Sequence, residues 1–172
     1  FFYQINLFKE LYAAEYMLPK YHILTGLLLT ILIYIASPLI QLPITLLQAT
    51  IIFLSSFLID FDHYFLYILR EKNLSLKRAT KFFKQKRKIR INMPISERRK
   101  HKRFIYIFHG IEFWLLILLL AQFSHLFYFI LLGFLIHMIL DWIDFIILGD
   151  PIIEKFSQSA TYLRNKGKLD FI

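Results

Sequence analysis

Apolar residues fall in long unbroken stretches along this chain, without the alternation of a strand or the one-sided stripe of a surface helix. A membrane span needs about 20 mostly apolar residues, because a helix rises ~1.5 Å per residue across ~30 Å of hydrocarbon. Four stretches reach that length. The first runs from about His22 to Leu42 and is interrupted at Ser37-Pro38. The second follows Pro43, is apolar through Ile59 and continues from Asp60 to Leu69. The third runs from Phe104 to Leu120 and the fourth from Leu126 to Leu148. Short uncharged links, Ser37 to Pro43 and Ala121 to His125, join them in pairs. The pattern predicts an all-α integral membrane protein with four transmembrane helices arranged as two hairpins.

Composition narrows the class. Of 172 residues, 58% are apolar, 19% are charged and none is Cys. These values exclude a disordered chain, a disulfide scaffold and most small water-soluble enzymes. Nineteen Phe against five Gly argue against a Gly-rich phosphate-loop fold. Charge sets the orientation. The 21 Lys+Arg against 12 Asp+Glu give a net charge of +9, and 15 of the basic residues lie between Arg70 and Arg103. With four crossings, both ends and this loop share one side, the cytoplasmic one, and neither opposite link carries a cation.

The expected organisation is an interfacial amphipathic helix over 1–18, a membrane domain over 19–150 with its basic loop at 70–103, and a cytoplasmic tail over 151–172. The loop mixes cations with Phe82 and Phe83, which suits anionic lipid headgroups. No recognition module accompanies the charge, so a nucleic-acid partner is not expected. The loop ends in Arg98-Arg99-Lys100-His101-Lys102-Arg103 beside the third span, where Lys102 and Arg103 are candidates to hold a substrate phosphate.

Ionisable groups within spans are costly, so each is a functional candidate. They are His22, Asp60, Asp62, His63, His109, Glu112, His137, Asp141 and Asp144. Asp60 and His63 are three apart, as are His109 and Glu112, while His137 and Asp141 are four apart. Such pairs share a helix face and could share a metal ion. Depth strengthens this reading. Counted from the uncharged links at ~1.5 Å per residue, His22 lies ~22 Å, His63 ~30 Å, His109 ~20 Å and His137 ~18 Å toward the cytoplasmic side. Every span thus contributes to one band. His22, Asp60, Asp62, His63, His109, His137 and Asp141 are the candidate metal ligands, and Glu112 and Asp144 are candidate proton acceptors or positioning groups. The ligand number accommodates one or two divalent ions, Zn²⁺ being the expected one.

These residues resemble those of the YdjM-like membrane-bound metal-dependent hydrolases, also described as LexA-binding inner-membrane hydrolases. The resemblance rests on His22, the Asp60-Phe61-Asp62-His63 run, His109, and Gly133 to Asp141 read as Gly-x-x-x-His-x-x-x-Asp. It covers about Tyr21 to Gly149. Ile59 stands where the family has Pro, and His101 is further from His109 than the family spacing, so only His109 is carried over from that motif. The resemblance implies a metal-dependent hydrolase at the membrane. Position beneath a cationic loop points to a phosphoester of a lipid or polyprenyl substrate. Two other classes use the same features: an ion or metal transporter, and a non-catalytic adaptor acting through the basic loop.

Overall fold

The computed structural model describes residues 19–170; the interfacial helix expected over 1–18 lies outside them. Among the described residues the chain is helical, with one isolated backbone bridge between His101 and Leu169. In chain order, α1 is Pro19–Ala36, α2 Leu46–Leu58, α3 Phe61–Glu71, α4 Leu76–Asn92 and α5 Ile95–Arg98. A 3₁₀ turn, Ile107–His109, precedes α6, Ile111–Leu120. Then come α7 Leu126–Leu148, α8 Ile153–Phe156 and α9 Gln158–Asn165.

Each boundary has a local cause. Pro19 opens α1, where its missing N–H costs nothing. Thr45 and Gln48 form a reciprocal capping box at α2, with the Thr45 N–H donating to Gln48 Oε1 at 2.7 Å. Between α2 and α3 the backbone tightens at Ile59-Asp60. There the Asp60 N–H bonds Phe57 O and the His63 N–H bonds Asp60 O, each three residues back. Gly149 ends α7 in the left-handed conformation at φ 71°, and Pro151 follows, so the chain reverses.

Two helical segments are long and apolar enough to cross a membrane: Leu46–Glu71, which joins α2 to α3 through the tightened turn, and α7. The first stretch is helical over 18 residues. The third differs most from its expected extent. Phe104 to Gly110 do not belong to α6, whose 10 residues span only ~15 Å. Gly110 is extended, at φ −91° and ψ 147°, and interrupts the run.

The centre of the fold is the contact of α2 with α7, flanked by α1 on α2 and α6 on α7. Small residues permit it. A Cβ on Gly133 would stand 2.5 Å from the Ile52 carbonyl oxygen and 2.6 Å from Ser55 Cβ, so only Gly lets the two backbones come this close. Beside this contact, Ile59, Ile117, Phe134 and Met138 form an apolar cluster. Ile59 and Met138 directly adjoin Asp60 and His137 in sequence, so the same packing fixes the polar groups. Gly133→Ala should therefore lower stability by about 1–3 kcal/mol, measured by reversible unfolding in micelles.

Candidate metal centre

Polar side chains from four elements, most of them buried, meet where α2 passes into α3. Asp60 lies at the tightened turn and Asp62 and His63 in the first turn of α3. His109 ends the 3₁₀ turn, His137 and Asp141 lie one helical turn apart on α7, and His22 comes from α1. His22, His109, His137 and Asp141 are each at most 4% exposed.

Second contacts fix how the imidazoles point. His137 Nδ1 is 2.9 Å from the Ser56 carbonyl oxygen, which can only accept, so Nδ1 carries the proton and Nε2 the lone pair. His109 Nδ1 is 3.0 Å from Asp62 Oδ2, which also accepts from the Phe108 N–H at 2.9 Å. Neither Nε2 has a hydrogen-bond partner, although both are buried. His109 Nε2 is 3.6 Å from both Asp60 Oδ1 and Asp141 Oδ2. His137 Nε2 is 3.5 Å from the same two oxygens. Donors about 2.0–2.1 Å from a tetrahedral ion stand about 3.4 Å from one another. Each imidazole thus stands at ligand spacing from both carboxylates.

His63 and His22 flank this centre. His63 Nδ1 is 3.2 Å from Asp60 Oδ1 and 3.0 Å from Asp62 Oδ1, and its ring stacks on Tyr106 with centroids 3.8 Å apart. His22 Nε2 is 3.8 Å from Asp141 Oδ1, and its ring stacks on His137 at 4.1 Å. Asp60 and Asp141 therefore connect the central group to one histidine on each side. Three overlapping groups, His22/His137/Asp141, Asp60/His109/His137 and Asp62/His63/His109, have donor atoms close enough to hold an ion. Buried His/Asp groups able to bind a metal are a property of this fold.

Glu112 and Asp144 lie elsewhere. Because the extended Gly110 separates His109 from α6, the spacing of three no longer puts Glu112 on the histidine's face. Its carboxylate instead accepts from the Ser157 hydroxyl at 2.6 Å and the Ser159 N–H at 2.9 Å, capping the start of α9. Asp144 lies one turn beyond Asp141 and takes a two-pronged ion pair from Arg87 of α4. Lys102 pairs with Asp170 at 2.9 Å, and Arg103 bonds Asp150 and stands 3.0 Å from Glu154.

Several residues beside the site had no sequence-based assignment. Lys155, in α8, is 3% exposed and puts its ammonium 2.7 Å from Asp141 Oδ2. The chain reversal at Gly149-Asp150-Pro151 was the signal that this segment returns to α7. Helix α4 covers the centre. Ala79, Phe83, Arg87 and Arg90 line a cavity of about 350 Å³ that His22, Asp60, His63 and Asp141 also line. Arg98 and Arg103 also line it, and together with Arg90 they donate to the buried carboxylate of Asp150. Burial pushes the Asp150 carboxyl up, but Arg90, Arg103 and Arg98 outweigh it and hold the carboxyl below its usual range.

Comparison with family models, curated proteins and solved structures gives no match to this chain.

The Asp150 pairing predicts a pH dependence. A depressed carboxyl contributes its full stability above the unfolded value of about 3.9 and loses it as pH falls through the folded value. Acid unfolding should start below about pH 4. Asp150→Asn, which strands buried guanidiniums, should cost about 3–5 kcal/mol at neutral pH. Unfolding midpoints against pH for both proteins check this.

Proposed function

We propose that this chain is a membrane-embedded, metal-dependent hydrolase acting on a phosphoester of a lipid or polyprenyl substrate. The observation that carries the proposal is that His109 Nε2 and His137 Nε2 each stand 3.5–3.6 Å from both Asp60 Oδ1 and Asp141 Oδ2, with both imidazoles oriented from behind. A carboxylate or carbonyl holding the far nitrogen of a ligand histidine is the usual support of a metal centre. These four residues would hold the ion. When bound, it would supply Lewis-acid polarisation of a phosphoryl oxygen and make water acidic enough to react near neutral pH. Asp60 and Asp141 can also be shared with a second ion at His63 or His22.

The protein groups have separable tasks. Asp62 and the Ser56 carbonyl keep His109 and His137 in the tautomer that offers Nε2. Lys155 balances the charge of Asp141. His63 faces the cavity with Nδ1 against Asp62, and is the imidazole of the cluster placed to move a proton. Hydrolysis adds the elements of water across the P–O bond; the phosphoryl group takes the hydroxyl and the departing oxygen takes the proton. The α2–α7 contact beside the site sets Gly133 directly against Ile52, Ser55 and Ser56, a close packing that favours a closed site over an ion conduit.

Membrane insertion through four spans, with the α4 face cytoplasmic, belongs to the same proposal. It is supported by large exposed apolar side chains, including Leu32 and Ile35 on α1 and Leu119 and Phe123 around the end of α6. The resemblance to YdjM-like hydrolases agrees with this reading. Zn²⁺ supplied during purification should remain with the protein. His137→Ala and Asp141→Asn should each lower metal retention and phosphate release from lipid phosphoesters by at least about 100-fold. Glu112→Gln, outside the cluster, should retain wild-type metal content. Elemental analysis and phosphate release measure both; retention of metal by the His137 and Asp141 variants would contradict the site.

A further inference from the structure

The arginines around Asp150 carry more positive charge than the fold neutralises. Arg90, Arg98 and Arg103 converge on this one carboxylate, whose side chain is 0% exposed. Arg103 also reaches Glu154, and Glu154 is shared in turn with Arg164 at 3.4 Å and Lys168 at 3.6 Å. Arg164 is 46% exposed and water serves it, so the inner excess is Arg90, Arg98 and Arg103 against Asp150 and Glu154. Arg87 and Asp144 form their own pair and Lys155 is paired with Asp141, so neither changes the excess. Uncompensated buried charge is costly, and a protein keeps it where an anion completes the balance.

Arg90, Arg98 and Arg103 line the same cavity as His63, Asp60 and Asp141. The Arg98 side chain is 6% exposed. The Nε atoms of Arg90 and Arg98 are buried without a hydrogen-bond partner. Guanidinium groups that line a cavity suit the oxygens of a phosphate, which accept several N–H groups at once. The outward face of α4 is different in kind: Lys77, Lys81 and Lys88 are exposed and line only a shallow groove on the helix surface.

We propose that Arg90, Arg98 and Arg103 form a phosphate subsite, built on Asp150, that holds the phosphate group of the substrate beside the metal centre. Its place in a reaction rests on the hydrolase reading, whereas the binding stands without it. The shared ligand chemistry is a phosphate or phosphate monoester, carried by a lipid headgroup or free in solution.

The test is calorimetric titration of the full chain in micelles with inorganic phosphate, short-chain phosphatidic acid and, as a zwitterionic control, short-chain phosphatidylcholine. Binding of phosphatidic acid alone identifies a lipid headgroup as the source. Binding of phosphate with equal affinity identifies a soluble phosphate, and both results support the subsite. Arg90→Gln and Arg98→Gln should each weaken binding by at least about tenfold. A combined Lys77→Gln, Lys81→Gln, Lys88→Gln variant should stay within about twofold, as exposed charges contribute little. Should Arg98→Gln not fold, Arg98→Lys keeps the charge and loses the fork, and should weaken binding in the same direction. His137→Ala separates the two proposals: lost metal with retained phosphate binding leaves the subsite standing alone. Failure of both phosphate probes to bind, preference for phosphatidylcholine, wild-type affinity in Arg90→Gln, or equal loss in the outer-face variant would overturn it.

Discussion

The hydrogen bond between His137 Nδ1 and the Ser56 carbonyl depends on two helix backbones approaching more closely than side chains normally allow. Gly133, one turn before His137, makes the approach possible, because a Cβ there would collide with Ile52 and Ser55. The bond then settles which histidine nitrogen carries the proton and turns Nε2 toward Asp60 and Asp141. Asp62 performs the same service for His109. Without these contacts from behind, the imidazoles would be free to rotate and the four donor atoms would share no focus.

Charge is sorted into two adjoining compartments. Carboxylates outnumber fixed cations on the floor of the cavity, where Asp60 and Asp141 meet His22, His63 and one lysine. Arginines outnumber carboxylates on the wall formed by α4, α5 and the segment around Arg103. An ion on the floor and an anion at the wall would balance each compartment separately. That arrangement suits a reaction in which a phosphate is gripped at one end and attacked at the other.

Much of the floor was legible in the sequence, because ionisable residues inside apolar runs are conspicuous and helical rise converts their positions into depth. Spacing converts to depth only along a straight helix, and the chain departs from one after Arg103. The apolar run from Phe104 hides the fact that backbone groups at Arg103 and Tyr106 bond the side chains of Asn165 and Gln158 on α9. Those distant partners release the segment from helix, bring His109 in on a 3₁₀ turn and leave Glu112 facing away. Lys155 was illegible for a similar reason: a cation after a hydrophobic run reads as a flanking charge until Gly149 and Pro151 reverse the chain. The basic segment over 70–103 was legible as charge, but not as a helix whose inner and outer faces differ.

If Asp60, His109, His137 and Asp141, from three segments of the chain, hold one ion, X-ray absorption at the zinc edge of the Zn²⁺-loaded protein will show it. The expected spectrum has a shell of nitrogen and oxygen at about 2.0–2.1 Å, with the outer-shell scattering of at least two imidazoles, one of which disappears in His137→Ala. A spectrum without imidazole scattering, or one that His137→Ala leaves unchanged, would contradict it.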